Sequence, residues 1–210
     1  LRVVLNELGT SDYGVYSVVT GFVTLLAFLP GSMASATQRF FSFAMGKKDG
    51  LQLKQTFSVN LIMYIAIAAF AYTTLQTLGL WYITEHLKIP ADRFEAAVEL
   101  YHYVALSFVF SIFTAPFIAI LIAHEDMHLY AIVSVVDAVL KLGAAVSLAY
   151  VSYDLLPYYG MALFFISALI AAIYIVICIR KYAECQLRKL YWNTQLVKEI
   201  LGFTVWTLLG

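Results

Sequence analysis

Two opposite charges, Asp137 and Lys141, sit in the middle of a stretch otherwise made of apolar and small residues. A charge at the centre of a membrane helix costs about 2.5–3.5 kcal/mol by insertion scales, so such residues are either neutralised or put to use. Their i, i+4 spacing places them on one helix face, acid first, which is the favourable order for mutual neutralisation. Two roles suit that chemistry. One is a structural ion pair inside a helical bundle. The other is a pair facing a water-filled cavity, with the Lys141 ammonium offered to an anionic substrate.

A second constellation, His124-Glu125-Asp126-Met127-His128, matches the H-E-x-x-H pattern, in which two histidines one helical turn apart hold zinc and the glutamate activates water. That chemistry would make the chain an intramembrane metalloprotease. Its context argues otherwise: the five residues read as a turn between two apolar runs, Asp126 adds a charge, and no third-ligand motif follows. No phosphate-cradling glycine loop or nucleophile elbow is present, and His86 and His102 stand alone as interfacial side chains. Neither enzyme chemistry, a resident metal nor a cofactor is expected. Cys178 and Cys185 are too few for a disulfide framework and read as packing residues.

A third polar feature is Pro30-Gly31, followed by Ser32-Met33-Ala34-Ser35-Ala36-Thr37-Gln38-Arg39. Proline removes an amide donor and glycine loosens the backbone, so a kink is expected at Pro30 and Gly31, as in transporter helices beside a substrate path. The small residues after it suit close helix packing equally well. Arg39 either serves a cavity or snorkels to headgroups. Pro116 is expected to kink another helix, following Ser107, Ser111 and Thr114.

The elements that carry these residues are membrane helices. Of 210 residues, 62% are hydrophobic and only 12% charged, and mean hydropathy is +0.84. A soluble fold could not bury that much apolar surface. With 13 acidic and 13 basic side chains there is no net positive field to draw nucleic acid. Five runs are long enough to span a hydrocarbon core of about 30 Å: residues 13–41, 56–80, 96–123, 129–151 and 158–179. Residues 1–8 read as the tail of an earlier helix closing at Gly9, and residues 200–210 open another. The chain lacks an initiator Met and stops inside an apolar run, so both ends are expected to be cuts in a longer protein.

Tyrosine and tryptophan gather where runs meet polar connections, as at Trp81 and Tyr82 or Tyr158 and Tyr159, the belt expected at headgroup depth. Lysine and arginine concentrate in alternate connections. Arg39, Lys47, Lys48, Lys54, Arg180, Lys181, Arg188, Lys189 and Lys198 mark the cytoplasmic side, whereas Asp12, Glu85, Asp92, Glu95, Glu99 and Asp154 share the other with only Lys88 and Arg93. The short connection 124–128 is cytoplasmic by parity, although it carries no Lys or Arg. The connection 180–199 reads either as a basic helix on an anionic leaflet, with Leu187, Leu190, Tyr191, Val197 and Leu201 on one face, or as a solvated linker.

Leu8-Gly9-Thr10-Ser11-Asp12-Tyr13-Gly14-Val15-Tyr16, then Ser35-Ala36-Thr37-Gln38-Arg39-Phe40, then Gly46-Lys47-Lys48-Asp49, resembles the amino-terminal region of polysaccharide exporters and O-antigen-type oligosaccharide-lipid flippases. Residues 201–210 resemble the opening of that family's seventh helix. The family belongs to the superfamily that also holds multidrug antiporters. The resemblance implies an all-α polytopic transmembrane helical bundle: residues 1–199 as one six-helix lobe of a two-lobed, MATE-like transporter, and residues 200–210 as the start of the second lobe. It further implies a transporter in the bacterial cytoplasmic membrane that flips polyprenyl-diphosphate-linked oligosaccharide by alternating access. Its partners would be membrane lipids and the polysaccharide polymerase and glycosyltransferases of the same pathway. By the same resemblance Arg39, Lys141 and Arg2 are the cations expected to meet substrate, with Asp137 holding Lys141. A drug and cation antiporter is the competing reading, and it requires a buried carboxylate not tied up by a neighbour.

Overall fold

The computed structural model describes residues 2–47, 49–87, 89–151, 154–185 and 190–209, the side chains of residues 2, 3, 6, 29, 32 and 207–209 excepted. Among them every regular element is helical. The helices are α1 (Arg2–Thr24), α2 (Phe28–Gly46), α3 (Gly50–Thr74), α4 (Leu80–Glu85), α5 (Phe94–Ala123), α6 (Met127–Ser147), α7 (Leu155–Lys181) and α8 (Thr194–Leu209). Backbone polar groups have no water to bond in hydrocarbon, so long apolar runs resolve as helices that satisfy those groups internally. Four stretches are long and apolar enough to cross a membrane: Gly50–Glu85, Ala91–Ala123, Met127–Tyr150 and Leu155–Lys181. The chain is an all-α, multi-pass membrane protein.

The stretch expected as the first of five spans, residues 13–41, is helical but divided. Gly9 leaves the helical region (φ 76, ψ 171), closing the preceding turns where a helix end was expected. A 3₁₀ turn, Leu25–Ala27, then separates α1 from α2. That turn lies about one helical turn before Pro30 and Gly31, where a kink is expected. Its position has a simple cause: Pro30 becomes the third residue of α2, in the first turn, where a missing amide costs no intrahelical bond. Pro116 lies inside α5, which continues as one helix on both sides of it. The expected kink does not interrupt that element.

Side chains fix the ends of several helices. Asp49 Oδ1 accepts from the amides of Leu51 and Gln52, each at 3.0 Å, at the start of α3, and Asn193 Oδ1 accepts from Gln195 and Leu196 at the start of α8. That cap starts α8 at Thr194 rather than at residue 200. Residues 190–193 are not helical, so an unbroken basic helix does not run from 190 to 201. Leu187, Arg188 and Lys189 lie outside the described residues.

The chain forms two compact units. The first comprises Leu1–Leu26, Ala69–Phe110 and Ser134–Ile170. Val19, Leu75, Ile83, Leu100, Tyr101 and Leu156 form one of its buried clusters, and Leu8, Ala144, Leu148 and Tyr159 belong to another. The second comprises Ala27–Ala68, Ser111–Val133 and Ala171–Gly210. Phe57 and Phe117 meet edge to face in it, α2 packs along α8, and Cys178 and Cys185 are buried as free thiols, in keeping with a packing role.

Candidate functional site

The ion pair read from spacing alone is formed. Lys141 Nζ lies 2.8 Å from Asp137 Oδ2 within α6, with the lysine side chain 48% and the aspartate 28% exposed. Which side of α6 carries them follows from two stripes. Val135, Val139, Leu142 and Val146 recur at steps of four, three and four and are all exposed, as on a lipid-facing surface. Asp137, Lys141, Ala144 and Leu148 recur at the same steps two residues on, which is about 200° around the helix axis. Ala144 and Leu148 of that second stripe are buried among Val4, Leu8, Tyr159 and Ile166. The charges thus share the stripe of α6 that packs at Ala144 and Leu148, with about half of the Lys141 side chain accessible.

Arg39 lies in α2, in the second unit, where it is exposed and its guanidinium carbon sits 4.6 Å from the centroid of Phe203 in α8. That stacking holds the cation without cancelling its charge. The side chain of Arg2 lies outside the described residues. One face of the neighbouring turn of α2 carries a network that spacing did not reveal: Thr37 Oγ1 donates to Asn60 Oδ1 at 2.9 Å and lies 3.5 Å from the Tyr64 hydroxyl. Asn60 Nδ2 in turn donates to the Thr56 carbonyl at 2.8 Å. Thr37, Asn60 and Tyr64 are fully buried. Four-residue spacing puts Thr56, Asn60 and Tyr64 on one face of α3 but does not identify Thr37, 23 positions away from Asn60, as their partner.

Charged connections pair off within each unit. In the first, Arg93 bridges Asp12 at 3.0 Å and Asp154 at 3.1 Å, tying together three connections assigned to the non-cytoplasmic side. The Asp12 side chain is only 4% exposed, and its Oδ1 has no hydrogen-bond partner among the described residues. Burial pushes its carboxyl above the usual range, opposed by Arg93 and reinforced by Asp154 and Asp92.

In the second unit the H-E-x-x-H residues are part of a fastening, and their geometry differs from that of a zinc helix. α5 ends at Ala123, α6 begins at Met127, and Glu125 between them is left-handed (φ 59), so the two histidines do not stack one turn apart on one helix. His124 Nε2 lies 2.5 Å from Glu184 Oε1, and its ring stacks on Tyr182 with centroids 4.2 Å apart. Asp126 accepts from Lys181 Nζ at 2.7 Å and from the Tyr182 hydroxyl. Those two donors hold the Asp126 carboxyl below its ordinary range. Among the described residues no group of three His, Cys, Asp or Glu is placed to hold a metal ion. The connection that carried no Lys or Arg of its own is bonded to one that does, in agreement with its parity.

A family model, MatE, matches residues 1–147. Neither the curated proteins nor the solved structures give a match.

Proposed function

The chain belongs to the MatE family, whose members are membrane transporters of the MATE/MOP type, and from that premise we propose that it flips a polyprenyl-diphosphate-linked oligosaccharide across the bacterial cytoplasmic membrane. The observation that supports this cargo most directly is the Asp137–Lys141 pair, an ion pair formed inside an apolar span and only partly covered by the chain. The Lys141 side chain is 48% exposed and its ammonium contacts one Asp137 oxygen, so its remaining donors can meet a diphosphate while Asp137 holds it in place. Arg39, fixed over Phe203, is a second cation for the same anionic class, and Arg2 a third. Membrane lipids surround the exposed stripe of α6, and the polymerase and glycosyltransferases of the pathway supply and consume the cargo.

A cation antiporter is the second reading, and Asp12 favours it, being a buried carboxylate with one oxygen unpartnered. Its other oxygen is held by Arg93, which leaves it less available than an antiporter carboxylate requires.

The test uses the full-length protein in a strain whose surface polysaccharide depends on it. Lys141→Ala is expected to abolish export, and Lys141→Arg, which keeps the charge, to retain part of it. Undiminished export by Lys141→Ala sinks the assignment. Proton- or sodium-driven efflux of an organic cation, lost in Asp12→Asn, would establish the antiporter instead.

A further inference from the structure

Residues 89–93 form a strap that leads into α5 in the first unit. Its backbone bonds are local: the Arg93 amide donates to the Pro90 carbonyl at 2.9 Å and the Ile89 amide to the Leu87 carbonyl at 3.0 Å. Ile89 packs, partly buried, against one of the buried clusters of that unit, while Ala91 and Asp92 are exposed. Ile89 and Pro90 also line a cavity of about 230 Å³ together with Ser11, Gly14, Val15 and Val18 of α1. At the end of the strap Arg93 is bound to α1 through Asp12.

The two halves of the Arg93 bridge are unequal. The Asp154 side chain is 44% exposed, and an ion pair open to water contributes little. The Asp12 side chain is buried, and a carboxylate taken out of water depends on the cation that accompanies it. That dependence is mutual, since a charge-assisted hydrogen bond is about twice as strong as a neutral one. Arg93 is therefore held to α1 for as long as Asp12 is ionised. Only Oδ2 of that carboxylate is bonded, and Oδ1 is enclosed with no hydrogen-bond partner among the described residues. A proton taken up at Oδ1 cancels the charge that holds Arg93 and displaces no hydrogen bond in arriving.

Three charged groups act on Asp12 from the elements around it: Arg93 and Asp92 on the strap, and Asp154 ahead of α7. Burial favours protonation most, Arg93 opposes it, and Asp154 and Asp92 add to it. A neutral carboxyl suits the enclosed site better than an ionised one, so the loss of the ion pair is felt in the strap rather than throughout the fold.

We propose that Asp12 is a proton site that governs this strap: ionised, it keeps Arg93 and residues 89–93 closed against α1, and protonated from the non-cytoplasmic solvent it lets them go. The proposal does not depend on the cargo. It is tested with a nitroxide spin label on Ala91→Cys in the full-length protein in lipid nanodiscs. Cys178 and Cys185 are buried, and the protein with Ala91 intact supplies the background spectrum. Between about pH 8 and about pH 4 the mobile population of the label is expected to rise about tenfold, as a charge-assisted bond becomes a neutral one. In Asp12→Asn, neutral at every pH, the label is expected to be mobile throughout, whereas Asp154→Asn is expected to keep the transition. Should Asp12→Asn fail to fold, Arg93→Gln, at a side chain 36% exposed, is expected to be mobile throughout. A label whose mobility does not change with pH overturns the proposal. So does a transition that persists in Asp12→Asn or vanishes in Asp154→Asn, or an immobile label in Arg93→Gln.

Discussion

The hydroxyl of Tyr101 donates to the backbone carbonyl of Leu75 at 2.6 Å, at the point where α3 gives way to the five-residue π-helical stretch Leu75–Gly79. A π turn shifts its carbonyls off the regular i to i+4 ladder, and a side-chain donor on one of them steadies the irregularity. The same hydroxyl lies where a side chain at Gly79 would go, since a Cβ built there falls 2.0 Å from Tyr101 Oη. Glycine and tyrosine are thus matched across two helices of the first unit.

Gly79→Ala should therefore destabilise the protein, against the gain in helix propensity that alanine ordinarily brings. Overpacking of this kind costs about 1–3 kcal/mol. Removing the hydroxyl in Gly79→Ala/Tyr101→Phe should restore part of the loss, although Leu75 then lacks its donor. Thermal unfolding in detergent reads both effects. A Gly79→Ala protein as stable as wild type would mean that the tyrosine moves aside at no cost.

Asp12 lies ahead of the first expected span, and burial raises its carboxyl above the ordinary 3.8. The folded state then holds the proton more tightly than the unfolded chain does, so this group's stabilisation is fully present below pH 3.8 and is lost as pH rises through the folded value. Asp12→Asn should flatten the melting temperature across that window. Arg93→Ala should extend the window to higher pH, because Arg93 is the group that opposes the rise. A pH profile unchanged by either substitution would contradict the burial argument.

Asp126 should behave with the opposite sign. Its carboxyl is lowered, first by the Lys181 hydrogen bond and then by that of Tyr182, so its contribution is present above pH 3.8 and disappears as acid protonates it. In Lys181→Ala/Tyr182→Phe both donors are gone, so the folded carboxyl returns toward its ordinary range and Asp126's share of the acid limb of the melting profile should flatten. If the acid limb is unchanged, the fastening of the α5–α6 turn to the end of α7 does not form in solution.

Some of this architecture was legible in the residues and some was not, for physical reasons. Hydropathy located the long helices because a bilayer imposes one length on every spanning run. The Asp137–Lys141 contact followed from four-residue spacing because both residues sit on one helix, where geometry is local. The partners of Asp12, Asp126 and His124 lie 81, 55 and 60 positions away, and spacing carries no information over that range. Pro30 left a trace of the nearby 3₁₀ turn, since a proline is cheapest in the first turn of a helix. The π stretch left only Gly79 as a trace, and a lone glycine in an apolar run reads as packing.

The buried Thr37–Asn60 contact allows a sharper test, because two polar side chains are fully enclosed with little but each other, Tyr64 and the Thr56 carbonyl to bond. Truncating one partner strands the other in a place that water does not reach, and an unsatisfied buried group costs about 1–3 kcal/mol. Asn60→Leu alone should therefore destabilise by that amount, since Thr37 then keeps only its 3.5 Å contact with Tyr64. Thr37→Val alone should cost less, because Asn60 keeps its bond to Thr56. The double variant removes both polar groups and replaces them with apolar ones of similar volume, so it should fall well short of the sum of the singles. Strict additivity would show that the two residues do not communicate and that α2 and α3 are held by apolar packing alone.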